Sequence, residues 1–150
     1  MKRILLFIFT VFVCVFAACK KNTSSSGVQM SAVINNRPWA SSSSNVSIDK
    51  SSGLHITITA DSANTHMKLD IGNYAGAGTY LISDSGNTAV YTSYTNGVGS
   101  AAHKATSGNI TVTAATSNGV NQNGIKGTFE FLADSVFVTT GNFDVKMNLN

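Results

Sequence analysis

A period of two constrains this chain more than any other feature. From residue 28 onward, apolar and polar residues alternate in short runs, and no stretch of ten residues shows the 3.6 period of a helix. Val28, Met30, Ala32 and Ile34 share one side of a first strand. Asn35 to Pro38 reads as a turn, with Trp39 after it and a polar loop over Ser41 to Ser44. Val46 and Ile48 mark a short strand, ended by Asp49 to Gly53. Next, Leu54, Ile56, Ile58 and Ala60 alternate with His55, Thr57, Thr59 and Asp61, and Met67, Leu69 and Ile71 alternate with His66, Lys68 and Asp70. A loop over Asp61 to Asn64 would set Ile58 against Met67, Ile56 against Leu69 and Leu54 against Ile71, with every apolar group on one face.

The pattern continues to the C-terminus. Thr79 to Ile82 and Ala89 to Tyr94 read as strands, and Asn96 to Ser107 as a long loop of small residues. Ile110, Val112 and Ala114 give another strand. Ile125, Gly127, Phe129 and Phe131 alternate with Lys126, Thr128, Glu130 and Leu132. Val136 and Val138 form a short strand, Thr139 to Asn142 a turn, and Phe143, Val145, Met147 and Leu149 the last strand. Ser, Thr, Asn and Gly dominate between these runs. Such residues compete with helical backbone bonds and suit tight turns. The expected fold is all-β: an antiparallel sandwich or a partly closed barrel of about nine or ten short strands, with the sandwich preferred.

Ahead of this region stands MKRILLFIFTVFVCVFAAC. Lys2 and Arg3 precede an apolar run from Ile4 to Ala18, 15 residues long. A spanning helix needs roughly 20 apolar residues, so the run reads as a removable export signal. Ala17 and Ala18 before Cys19 resemble the lipobox of bacterial lipoproteins, although Phe16 stands where Leu is usual. An ordinary signal cut after Ala17 and an uncleaved anchor are the competing readings. Thr23 to Gly27 has no apolar residue and reads as a flexible tether. The expected organisation is a signal peptide over 1–18, lipidated Cys19 and tether over 19–27, and a single β domain over 28–150. Lys20 and Lys21 would lie at the lipid headgroups.

Removing Lys2 and Arg3 from the ten basic residues leaves eight against seven acids, so the processed chain is nearly neutral. No basic cluster follows the tether, and nucleic acid is not an expected partner. Cys14 falls within the signal and Cys19 is the lipidation candidate. The β region therefore has no disulfide, no thiolate metal site and no cysteine nucleophile.

Chemistry-bearing patterns are sparse. There is no Gly-x-Ser-x-Gly elbow, no HExxH and no Walker-type loop. In the register above His55 and His66 are about 13 Å apart, too far to share a metal. His103 falls in the small-residue loop, and all three histidines are expected to face solvent. Asp49, Asp61, Asp70, Asp84, Glu130, Asp134 and Asp144 fall mostly in turns or on outward positions, which gives no carboxylate pair for glycoside hydrolysis. No catalytic residue, metal or cofactor is expected. Trp39, Tyr74, Tyr80 and Tyr91 are the candidates for stacking on a ligand. Their plainer roles are Trp39 packing beneath the first turn and the tyrosines capping the core edges.

Several pieces together carry a resemblance. They are the Cys19 motif with its Ser-rich tether, Ala32-Val33-Ile34-Asn35-Asn36 leading to Trp39, Gly78-Thr79-Tyr80-Leu81 with Tyr91 downstream, and Lys126-Gly127-Thr128-Phe129-Glu130-Phe131 followed by Val136 to Phe143. The chain resembles short uncharacterised lipoproteins found chiefly in Bacteroidota. The family commonly has Asn-Gly where this chain has Asn35-Asn36, which still allows positive φ. The resemblance implies an all-β domain on a lipid anchor in the cell envelope and no specific activity. The expectation is an outer-membrane lipoprotein acting as a non-enzymatic binding or assembly module, with a glycan or an envelope protein as partner. Lys20-Lys21-Asn22 lacks the acidic run of surface-exported lipoproteins, which favours the periplasmic face. The alternatives are a glycan-acting hydrolase and a strand-exchanging, fimbrial-type subunit.

Overall fold

The computed structural model describes residues 29–49, 55–95, 99–118 and 122–148. The expected signal, Cys19 and the expected tether lie outside the described residues, as do Val28, Leu54 and Leu149. Among the described residues eleven strands follow one another: β1 (Met30–Ile34), β2 (Arg37–Ala40), β3 (Ser43–Asp49), β4 (His55–Ser62), β5 (Thr65–Ile71), β6 (Gly78–Leu81), β7 (Thr88–Thr95), β8 (Gly99–Lys104), β9 (Ser107–Asn118), β10 (Gln122–Ala133) and β11 (Val136–Asn148). They form two antiparallel sheets, ordered β2-β1-β11-β10-β9-β6 and β3-β4-β5-β7-β8, and the sheets do not close into a barrel. No helix among the described residues is long and apolar enough to cross a membrane.

Alternation produces this arrangement. The central strands turn one apolar row inward, and two such rows facing each other exclude water from both. Met30, Ala32 and Ile34 supply the row on β1, Ile56, Ile58 and Ala60 on β4, Met67, Leu69 and Ile71 on β5, and Ile125, Phe129 and Phe131 on β10; all are buried. Burying each large side chain contributes about 1.5–3 kcal/mol. Gly127 interrupts the β10 row because Phe143 pairs with it across the ladder. The space a side chain would take at Gly127 belongs to the Phe143 ring and the Thr111 carbonyl. Phe143 and Phe131 in turn flank Phe129, with centroids 6.4 and 6.3 Å away.

Four local expectations are corrected. The β4–β5 hairpin is tighter than expected: Ser62 pairs with Thr65, so Ile56 faces Ile71, Ile58 faces Leu69 and Ala60 faces Met67. That is a slip of two residues. A two-residue slip keeps every side chain on its face, so the apolar pattern cannot tell the two registers apart. Within the expected loop over Asn96 to Ser107, Gly99–Lys104 is a strand, β8, at a sheet edge. An exposed edge of small residues leaves no apolar alternation to read.

Thr139 to Asn142 is not a turn. β11 continues through it with a bulge, where Thr140 takes a φ of 47° and the pairing with β10 skips a residue. The threonines and glycine that suggested reversal here relax a single long strand instead. The first turn is also shorter than Asn35 to Pro38. Asn35 and Asn36, at φ 47° and 63°, form a two-residue turn of the kind that matches hairpin twist. Arg37 and Pro38 already belong to β2. Pro38 lies on an edge strand, where its missing N–H breaks no ladder.

Gly127→Val is expected to lower stability by about 1–3 kcal/mol through overpacking against Phe143. Thr128→Val, on the exposed face one residue away, should change it by less than about 0.5 kcal/mol. Urea unfolding midpoints of both variants check this.

Candidate functional site

The core does not fill the whole gap between the sheets. At one rim the inward rows change from aliphatic to aromatic and polar. On β2, Arg37 pairs with Ile34 and Trp39 with Ala32, so both side chains leave on the face that carries the β1 core residues. On β7, Tyr91 and Ser93 continue the row begun by buried Ala89, and His103 of β8 stands opposite Tyr91. These residues line a groove of about 490 Å³, with Ile34 and Val136 among its other walls. That volume lies within the range of small-ligand sites.

Hydrogen bonds and stacking hold the lining in place. The Trp39 Nε1–H donates to the Thr65 hydroxyl at 2.7 Å, which ties β2 of one sheet to β5 of the other. The rings of Tyr91 and His103 lie 6.3 Å apart and nearly parallel. His103 Nδ1 is 3.5 Å from Asp134 Oδ2, on the turn between β10 and β11. Burial pushes the Tyr91 phenol above its ordinary value, so it stays a neutral donor. Asn35 caps the same corner: its side-chain oxygen accepts from the Phe137 N–H at 2.8 Å, and its own N–H donates to the Phe137 carbonyl at 2.9 Å.

The four expected stacking residues therefore divide. Trp39 and Tyr91 share the groove. Tyr74 and Tyr80 stack on each other, with centroids 5.9 Å apart. The Tyr80 hydroxyl donates to the Gly76 carbonyl at 2.6 Å and accepts from the Ala75 N–H, which pins the connection between β5 and β6. Burial, and then the neighbouring Tyr80, raise the Tyr74 phenol. This pair has a structural task, and all four rings pack against the core. Arg37 and His103 are the groove residues that sequence reasoning missed. The signal for Arg37 was present, since a turn on Asn35-Asn36 mirrors it onto Ile34 and so onto the inner face. His103 gave none, because its strand was hidden.

The histidines do not simply face solvent. Each is half-buried beside an aspartate: His66 Nδ1 lies 2.8 Å from Asp61, His103 lies beside Asp134, and His55 Nε2 lies 3.6 Å from Asp70. The corrected register makes Asp61 the direct cross-strand partner of His66 and moves His55 further away from it. Asp70 departs from the expected outward acids, being only 6% exposed on the outer face of its sheet. Burial alone would raise its pKa. The Thr57 hydroxyl at 2.6 Å, the Lys68 ammonium at 3.0 Å and the Thr88 hydroxyl at 3.1 Å outweigh that and hold the carboxyl below its ordinary value. Among the described residues no group of three or more His, Cys, Asp or Glu side chains could hold a metal ion.

A family profile described as a domain of unknown function (DUF6252) matches residues 27–147, and the chain belongs to that family. No curated protein and no solved structure matches it.

The Asp70 cluster gives a pH dependence. With its folded pKa depressed, the stability that Asp70 contributes is complete above about pH 4 and is lost as the pH falls through the lower folded value. Asp70→Asn should cost about 1–3 kcal/mol at neutral pH. Its urea midpoint should converge on that of the unaltered protein below pH 4. A gap that widens in acid would contradict the assignment.

Proposed function

We propose that this member of a family without an assigned activity is a lipid-anchored envelope protein that binds carbohydrate in the groove between its two sheets. The observation that carries the reading is the meeting of Trp39 and Tyr91, from opposite sheets, at one open concave surface with Arg37, Ser93 and His103. Indole and phenol rings offer flat apolar faces to the C–H faces of a sugar, while hydroxyl, imidazole and guanidinium groups hydrogen-bond its edges. Both aromatics sit on paired strands, so little ordering is left to pay for on binding.

The anchor reading rests on Cys19 after Ala17-Ala18 and on the polar tether behind it. A lipid on that sulfur would hold the β domain at the outer membrane, on the periplasmic face. Binding is preferred to hydrolysis because glycoside cleavage needs two carboxylates facing one cleft, and among the described residues no carboxylate lines this groove. Strand exchange would use the exposed edge of β8, and it leaves the aromatic groove without a role.

Trp39 is the single tryptophan of the chain, so its emission reports directly on the groove. Titrating the full, detergent-solubilised chain with a panel of neutral and acidic oligosaccharides should give a saturable change. Tyr91→Ala should weaken the affinity at least about tenfold, the size expected for losing one aromatic contact. A folded protein whose emission answers to no member of the panel would contradict the reading. For the anchor, cells fed labelled palmitate should label the protein, and Cys19→Ser should abolish both the label and sedimentation with membranes. Label retained in Cys19→Ser would move the lipid elsewhere.

A further inference from the structure

We infer that the sugar taken by this groove is acidic, with a carboxylate held by Arg37 while its ring lies against Trp39. This rests on the carbohydrate-binding reading and adds the class of ligand. Among the described residues, Arg37 is the one permanent cation that lines the groove, and no acid lines it beside Arg37. Asp134 lies 3.5 Å from His103, on the turn between β10 and β11, and is not among the described lining residues. A neutral ligand offers the exposed guanidinium hydrogen bonds but no opposite charge. A carboxylate gives it two parallel charge-assisted hydrogen bonds, the arrangement a planar fork serves best.

The strand geometry sets the spacing. Arg37 and Trp39 are two residues apart on β2 and leave on the same face, so their stems are separated by about 6.6 Å along the strand. That distance suits a ring on one side chain and its carboxyl substituent on the next. Pro38, between them, makes this edge unsuited to pairing with an added strand, which keeps the rim open to a ligand. Across the groove, Tyr91 and Ser93 present neutral hydroxyls and His103 an imidazole, which fit the remaining sugar hydroxyls.

The test compares trigalacturonic acid with its methyl ester, which has the same rings and no charge, by Trp39 emission on the full solubilised chain. The free acid should bind at least tenfold more tightly than the ester, and added salt should erode that preference. Arg37→Gln should abolish the preference for the acid over the ester, whatever it does to the ester itself, while Arg37→Lys should recover part of the preference. Arg37 is exposed, so an unchanged urea midpoint will confirm that the variants fold. Equal binding of acid and ester, or an Arg37→Gln variant that still prefers the acid, would overturn this inference and leave carbohydrate binding standing. Inorganic phosphate competing as well as trigalacturonate would also overturn it, as the mark of a plain anion site. No response to acid, ester or neutral oligosaccharides would remove both readings.

Discussion

The two-residue turn at Asn35 and Asn36 decides what the groove is made of. Both residues take positive φ, a conformation asparagine tolerates better than most, and the turn sets Arg37 against Ile34 and Trp39 against Ala32. A strand has only two faces. A slip of one residue would send Arg37 and Trp39 to the outer surface and bring Pro38 inward. The Asn35 side chain reinforces the setting through its bond to the Phe137 N–H, which joins the turn to the far end of the chain. One local backbone choice thus places a cation and an indole over the gap between the sheets.

The remainder of the fold keeps that gap at a fixed width. Its core is crowded where β10 and β11 meet, to the point that Gly127 and Gly141 leave their space to the rings of Phe143 and Phe129. It thins toward β7 and β8, where Ala89 gives way to Tyr91 and Ser93. The Trp39–Thr65 bond then spans the two sheets at the thin end. An open rim beside a tightly filled centre is how a small sandwich keeps both stability and a concave surface. The bulge at Thr140 on β11 lies outside the groove lining, whereas Asn35, at a φ of 47°, is part of it.

Much of this was legible in the sequence. Period-two runs identified the strands with strong apolar rows, and Asn-Asn identified the first turn. What stayed hidden has physical reasons. β8 buries almost nothing, so Gly99-Ser100-Ala101-Ala102 looks the same as a loop. The β4–β5 register was ambiguous because slips of two leave the faces unchanged. The bulge in β11 uses the same residue types as a turn. Of the site, Trp39 and Tyr91 were visible as aromatics, but their meeting depends on how one sheet lies over the other, and strand periodicity carries no information about that. Tyr74 and Tyr80 looked equivalent to them in sequence; their mutual stacking and the Tyr80 hydroxyl's bonds to Gly76 and Ala75 set that pair apart.

The central claim is that residues from both sheets act together on one ligand at this rim. Side-chain NMR of the isotopically labelled full chain, with an oligosaccharide added to saturation, measures this most directly. The account predicts that shifts concentrate on the Arg37, Trp39, Tyr91 and His103 resonances together. Shifts confined to one sheet, or centred on Tyr74 and Tyr80, would contradict it.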